Sequence, residues 1–379
     1  MKKVFMFSSV HKWNDTRVFH KEAVSLAKEY FIELHAPADF KYNFKYGVHI
    51  QGLPRWSNRK TRIRTLFILI KRILRTDADI FHFHDLELIP LGFLLKFMNK
   101  KVIYDIHESN SNYILIKNWI PKVLRLILSN IVSVLENLAT ICMDAIIVTS
   151  IGDFESFKKY RNKIILYNFP ISQIFDKNIK TIKKYDIIYH GTITFFNFNL
   201  ILDCVKKLIP EYPNFKCCLI IGDNISLDLL KYIDSVVSSD TYIAHFEIFK
   251  SMDYLEIPYK LVDARIGIIP LPKEKKFLTN IPTKLFEFML CGIPVVSSDL
   301  PPIRSFYNPN KPFGILVDPI SSNEFARAIK KILDNKKNSK EFSSNGYTLT
   351  KRYYTWRLQE KKLLTLYSSI IYNMSLYEK

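Results

Sequence analysis

The sequence predicts an α/β protein built from two doubly wound parallel sheets. Short apolar runs alternate with helix-length amphipathic segments along nearly the whole chain, the pattern of strands and crossover helices. Polar, chemistry-bearing residues follow directly after several of those runs, where strands of an open sheet end and ligands bind. The alternation breaks once, in an irregular lysine-rich stretch at 169–184, and then restarts. With 379 residues the chain is long enough for two cores.

In the first half, strands are expected at 3–8, 31–36, 79–84, 101–106, 144–149 and 163–167, and helices at 16–29, 58–75, 87–98, 119–142 and 151–160. In the second, strands are expected at 185–192, 214–221, 240–246, 264–270, 293–297 and 313–317. Helices fit 197–209, 225–239, 283–291, 321–335 and 338–351, and an amphipathic terminal helix begins near 353. Domains are therefore expected at 1–168 and 185–352, joined by the 169–184 linker.

The most informative stretch is 280–299. Pro282 suits a first-turn position and Gly292 a left-handed helix end, and Ile293 to Ser297 read as a buried strand. The unpaired amides around Thr283, Lys284 and Leu285 would face an anion, with the helix dipole and the Lys284 ammonium favouring negative charge. Glu287 lies one turn on, able to accept hydrogen bonds from a pair of sugar hydroxyls. A core helix with solvated Lys284 and Glu287 is the plain alternative.

Other strand ends are also polar. Asp15 and Arg17 follow the first strand, Asp15 as a helix cap or a ligand contact. Two neighbouring strands end in His84-Asp85 and His107-Glu108. Two histidines without a third ligand and a closed shell do not make a zinc site, so no metal is expected. Gly191 ends the first strand of the second half, where a backbone must approach a ligand closely; Gly222 is a weaker echo, near a base.

These stretches resemble the retaining glycosyltransferases of family four. The resemblance rests on Asp15-x-Arg17-Val18, on Asp79-x-x-His82-x-His84-Asp85, on Tyr104-Asp105-x-His107-Glu108, and on the Pro282-x-Lys284-Leu285-Phe286-Glu287 helix with its Gly292-x-Pro294-Val295 turn and Ser298-Asp299. It implies the GT-B fold, two Rossmann-like domains facing a cleft, with the last helix, 353–379, returning to the first domain. It implies hexosyl transfer with retention and no required cofactor, the donor being a UDP- or GDP-linked sugar. By the resemblance, His107, Glu108, Lys284 and Glu287 are catalytic. Gly191, Thr192, Gly222, Thr279, Asn280, Pro282, Thr283, Lys284, Leu285 and Glu287 bind the donor, and Asp15, Arg17, His84 and Asp85 the acceptor. Two departures stand out: residues 192–199 hold no cation for the diphosphate, and Thr279 stands where the family often has a glutamate.

The formal charge is +19, with a pI of about 9.5. Such a surface favours anionic partners. Segment 55–75 carries Arg55, Arg59, Lys60, Arg62, Arg64, Lys71, Arg72 and Arg75 without an acid, interleaved with apolar residues at helical spacing. It suits an anionic membrane surface or a solvated face. No recognition motif accompanies the charge, so nucleic acid is not expected. The segment 109–128 could touch lipid or pack as a long helix. No run approaching a membrane span and no secretory signal is expected, and five cysteines without metal spacing read as reduced thiols of a cytoplasmic protein. The acceptor expected is a saccharide or lipid-linked saccharide of cell-surface polysaccharide or lipopolysaccharide synthesis, at the inner face of the plasma membrane. The alternatives are a catalytically silent GT-B partner subunit, a GT-B epimerase or a basic nucleic-acid-binding protein.

Overall fold

The structure, a computed structural model, describes residues 1–55, 59–107, 114–115, 120–157, 162–176, 182–223 and 225–372. It divides into two compact units, Met1–Asn168 with Arg357–Lys379, and Phe169–Trp356.

The first unit is organised by an 8-stranded sheet. Its strands are β1 (Lys3–Phe7), β2 (Phe31–Pro37), β3 (Tyr42–Lys45), β4 (Val48–Leu53), β5 (Ile80–Phe83), β6 (Lys101–Ile106), β7 (Ala145–Val148) and β8 (Lys163–Ile165), in the order β3-β4-β2-β1-β5-β6-β7-β8. Every pairing is parallel except the β3–β4 hairpin. β1, β5, β6 and β7 are buried along almost their whole length because both faces of the sheet are covered. The hairpin was not expected. Its turn residues, Tyr46 and Gly47, both have positive φ, as a two-residue hairpin turn requires, but Tyr-Gly lacks the Asn-Gly signature.

Three helices, Arg59–Ile73, Ile89–Phe97 and Lys122–Cys142, bury Leu69, Leu95 and Ala139 in one cluster with Phe5, Phe81, Phe83 and Tyr104. They therefore share one side of the sheet. The helix expected at 16–29 is instead a wide π-helical turn, Val18–Ala23, followed by a short α-helical turn at Val24–Leu26. Glu22 N–H reaches back five residues to the Arg17 carbonyl. The terminal helix Trp356–Tyr372 buries Leu363, Leu366 and Tyr367, and the Tyr367 hydroxyl meets His82 Nδ1 at 2.8 Å.

The second unit is organised by a 6-stranded, wholly parallel sheet. Its strands are β9 (Tyr185–Gly191), β10 (Cys217–Ile221), β11 (Phe246–Lys250), β12 (Ala264–Ile269), β13 (Val295–Ser298) and β14 (Gly314–Val317), in the order β11-β10-β9-β12-β13-β14. The strand expected at 240–246 lies later, at β11: turn bonds such as Tyr242 N–H to the Ser239 carbonyl and His245 N–H to that of Tyr242 occupy the earlier residues. The linker stretch contains a short helix, Ser172–Phe175, which buries Phe175.

Helix Thr283–Leu290 packs on this sheet through a close approach at Gly267, where a Cβ would come within 2.5 Å of the Phe288 ring. We expect Gly267→Ala to displace that helix and destabilise the protein by about 1–3 kcal/mol. Thermal unfolding measures it; an unchanged midpoint would show that Phe288 yields freely.

Candidate active site

Among their parallel strands both sheets reverse strand order once, between β1 and β5 in the first unit and between β9 and β12 in the second. The carboxyl ends at such a switch point open a crevice for a ligand. Each unit has a cluster of chemical groups there.

In the second unit, β9 ends at Gly191, whose φ of +106 is a left-handed value that favours glycine. A Cβ at this residue would lie 3.3 Å from Lys284 Nζ. The ammonium sits 4.2 Å above the Tyr189 ring centroid, a cation–π contact. Burial lowers the Lys284 pKa to about 8, partly opposed by the Glu287 carboxylate. The amine is thus still mostly charged at neutral pH and has lost part of its water, so an arriving anion has less to displace.

Lys284 belongs to the first turn of helix Thr283–Leu290. Pro282 is the cap residue of that helix, one position before the first turn expected for it, and its side chain makes no capping bond. Leu285 N–H donates to the Pro282 carbonyl at 3.1 Å. This corrects the expectation that the Leu285 amide faces an anion, leaving those of Thr283 and Lys284 as first-turn donors. The other end is fixed by Gly292, at φ +67, with Gly292 N–H on the Met289 carbonyl and Ile293 N–H on that of Phe288, a Schellman ending.

Glu287 is buried, its Oε2 3.3 Å from His190 Nε2. Burial, reinforced by the Lys284 charge, lowers the His190 pKa to about 3, so the imidazole is neutral. His190 was missed in the sequence, although it immediately precedes Gly191. Gly222 N–H donates to the Gly191 carbonyl at 3.2 Å, which brings the ends of β9 and β10 together. The Tyr189 hydroxyl donates to the Thr192 carbonyl. Thr194 and Asn197 form a capping box that starts helix Phe195–Leu208. Thr279 and Asn280 adjoin each other after the Lys275–Leu278 turn, Thr279 exposed.

In the first unit the ends of β1, β5 and β6 gather the residues expected there, but most turn their polar atoms toward one another. Arg17 is buried; Nε and an Nη bond the two oxygens of Asp105 at 3.1 Å each, and the other Nη donates to the Leu166 carbonyl. Arg17 Nε also lies 2.8 Å from Glu22. Asp85 accepts bonds from the Ser8 hydroxyl at 2.7 Å and the Ser9 amide at 2.6 Å. His84 Nδ1 is 3.2 Å from His107 Nε2, and that nitrogen is 3.1 Å from Asp105. Arg17, His84 and Asp85 are thus internal braces in this structure, whereas the side chains of His11, Asp15 and His107 keep some solvent exposure. Glu108 lies outside the described residues.

Asp15 caps the π-helical turn, accepting from the amides of Arg17 and Val18, and pairs with His11 Nδ1 at 3.2 Å. Burial disfavours a charged His11, but Asp15, then Asp85 and Asp105, outweigh it and raise the pKa to about 9. His107 goes the other way. Burial brings it to about 4 in spite of Asp105, with the His11 charge adding to the effect. A charged His11 therefore stands beside a neutral His107, with ring centroids 4.6 Å apart. Burial would raise Asp105, yet Arg17 and His107 hold it well below the usual carboxylate range; burial and the Asp105 charge push Glu22 well above it.

Glu22, His82, His84 and Asp105 bring four ligand-type atoms within 4.8 Å of one another. Two of these residues, Glu22 and His82, were not foreseen as neighbours of the histidine pair. The Arg17 guanidinium already lies against both carboxylates, the place where an ion would draw its charge compensation. The cluster reads as a brace in which burial and the Asp105 charge favour a neutral Glu22, while Arg17 favours an ionised Asp105.

Residues 170–349 match the family model described as glycosyl transferases group 1. Sucrose-phosphate synthase from Thermosynechococcus elongatus is similar over 98% of this chain and 100% of its own, at TM-score 0.74 and 14% identity. Anabaena HepE in complex with UDP-glucose is similar over 97% and 100%, at TM-score 0.73 and 14% identity. The fold is GT-B. The catalytic domain of starch synthase IV from Arabidopsis thaliana, bound to ADP and acarbose, is a further GT-B relative, at TM-score 0.64 and 9% identity over 98% and 99%. No curated protein matches the chain significantly in sequence. The family match spans β9 to β14 and contains Gly191, His190, Lys284 and Glu287.

Truncating Arg17 leaves Asp105 and Glu22 face to face without a cation. We expect Arg17→Ala to cost about 3–5 kcal/mol of stability. Denaturant titration reads it, and a loss below about 1 kcal/mol would mean that the brace is dispensable.

Proposed function

We propose that this protein transfers a hexose-type sugar from a nucleotide-diphosphate sugar to a saccharide or lipid-linked saccharide acceptor, with retention at the transferred carbon. The observation that carries the reading is the Lys284 ammonium, closed in beside Gly191 and Tyr189 at the switch point of the group 1 domain. It stands with the first amides of its helix, at the place where a departing diphosphate needs positive charge.

As the glycosidic bond to the diphosphate breaks, negative charge grows on the leaving oxygen. Lys284 and the Thr283 and Lys284 amides are fixed beforehand, so their stabilisation costs little reorganisation when that charge appears. Glu287, one turn along the helix, accepts hydrogen bonds from the ribose hydroxyls and so sets the nucleotide's position. Gly191 and Gly222 let the backbone come close to the donor, with Thr192, Pro282 and Leu285 shaping its surroundings. Thr279 and Asn280 contact sugar hydroxyls as neutral groups, in place of the glutamate common in the family.

His107, neutral and held by Asp105 and His84, bonds the transferred sugar, and Glu108 serves the acceptor. Asp15 is the partly exposed acceptor contact, positioned by its own cap bonds; Arg17, His84 and Asp85 hold that surface in place. No metal is assigned a step. The donor is UDP- or GDP-linked; relatives crystallised with UDP-glucose and with ADP support a nucleotide-diphosphate ligand of this kind. The setting proposed is cell-surface polysaccharide or lipopolysaccharide synthesis at the cytoplasmic face of the membrane.

A second reading, a catalytically silent partner subunit, is favoured by one observation: residues 192–199 contain no cation. Turnover of a nucleotide sugar distinguishes the two.

A panel of UDP, GDP, ADP and dTDP in a thermal-shift assay tests the donor site. One of them at a hundred times its dissociation constant should add about 2.7 kcal/mol of stability. The increment of that diphosphate over its monophosphate should vanish in Lys284→Ala. An equal increment in the variant would place the diphosphate elsewhere.

A further inference from the structure

Helix Lys122–Cys142 is built inside out. The residues it buries are Ser129, Glu136, Ala139 and Thr140, a polar and small-residue stripe at helical spacing. Its outward sides carry Val123, Leu126, Ile127, Val134, Leu138 and Ile141, from 47% to 76% exposed. Single exposed apolar residues are ordinary, but a stripe running the length of a 21-residue helix is not. By length and composition this helix could cross a membrane, contrary to the expectation that no such run exists. Its place in the fold argues against crossing. Asp144 N–H pairs with the Val102 carbonyl, β7 begins at Ala145 and is paired on both sides, with β6 and β8, and Ala139 and Met143 belong to the core. Threading the helix through a bilayer would pull β7 out of the sheet.

The same side of the sheet presents helix Arg59–Ile73. Its exposed positions include Ile63, Phe67, Arg64 and Lys71, and exposed Leu74 and Arg75 follow directly after its end. Lys122 opens the apolar helix, at the end where the helix dipole disfavours a cation. We propose that the first unit rests on an anionic lipid surface, with the outward face of helix Lys122–Cys142 embedded at the headgroup–acyl boundary and the basic side of helix Arg59–Ile73 against the headgroups. An apolar stripe with cations beside it is the pattern of a helix lying in a membrane interface. Charge selects lipid over a second copy of the chain: a two-fold dimer through this face would set the same basic patch against itself. The segment assigned to lipid from sequence, 55–75, becomes the flank of the contact, and helix Lys122–Cys142 its anchor. The proposal stands independently of glycosyl transfer.

Cys142 supplies a probe, since it is exposed at the end of this helix while Cys204, Cys217, Cys218 and Cys291 are buried. The full chain, labelled at Cys142 with an environment-sensitive fluorophore, is titrated with vesicles of phosphatidylglycerol and phosphatidylcholine. We expect a blue shift and co-flotation, both weaker on phosphatidylcholine alone and at high salt. The triple variant L126Q/V134Q/I141Q, unlabelled, should float roughly tenfold less, while its thermal midpoint and nucleotide-induced shift stay as in the parent. Substituting Arg64, Lys71 and Arg75 by Glu should remove the preference for anionic lipid. Three results would overturn the proposal: no vesicle binding by the parent, unchanged binding by the triple variant, or a stable lipid-free dimer that the triple substitution dissolves without altering vesicle binding. Loss of the nucleotide shift in the parent would bear on the donor site and leave this contact standing.

Discussion

The second unit depends on a side chain that is missing. Gly191 lacks a Cβ, and the space is taken by the Lys284 amine 3.3 Å from where that atom would be. Any other residue at the end of β9 would meet both a left-handed φ and the lysine. Because the space is open, an ammonium can stand over the Tyr189 ring with part of its hydration removed. Removing a charge from water is costly, and burial accordingly lowers its pKa. The same desolvation makes it an effective partner for a phosphate. The surrounding structure holds this arrangement in place: a parallel sheet brings the carboxyl ends of β9 and β12 together, Phe288 seats the helix on Gly267, and Gly292 closes its far end.

The first unit handles charge in the opposite way. Its carboxylates and imidazoles neutralise one another internally, around the Arg17 guanidinium. A bidentate fork to Asp105, an approach to Glu22 and an Nη donating to the Leu166 carbonyl engage all three nitrogens of Arg17, a geometry that a lysine would not reproduce. The outcome is a division of charge within a few ångströms: charged His11 and neutral His107, with the Asp105 pKa driven down and that of Glu22 driven up. A neutral imidazole held on one side by a carboxylate is a precise hydrogen-bonding group for a sugar hydroxyl.

Much of this was legible in the sequence because the signals are local. Apolar runs separated by amphipathic segments gave two parallel sheets, and Pro282 and Gly292 bracketed the helix that carries Lys284 to within a residue. The hairpin at Tyr46-Gly47 was missed because positive φ at a tyrosine leaves no mark in composition. The Arg17–Asp105 pair spans 88 residues, and nothing near either residue announces the other. Arg17 was assigned to the acceptor by resemblance alone, and the structure adds that its guanidinium braces Asp105. Helix Lys122–Cys142 shows another limit. The sequence marked the segment as a helix, and burial alone showed that its polar stripe faces the protein.

The central claim, that a partly desolvated Lys284 amine grips a pyrophosphate, has a direct calorimetric signature. Above its pKa of about 8 the free amine is largely uncharged, and a bound diphosphate should restore the charge by drawing in a proton. Titration of the diphosphate nucleotide at pH near 8.5, in buffers of different ionisation enthalpy, counts the protons taken up. The account predicts roughly three quarters of a proton per nucleotide, and none in Lys284→Arg, which keeps the charge but does not titrate there. Equal uptake by both proteins, or none by the parent, would contradict it.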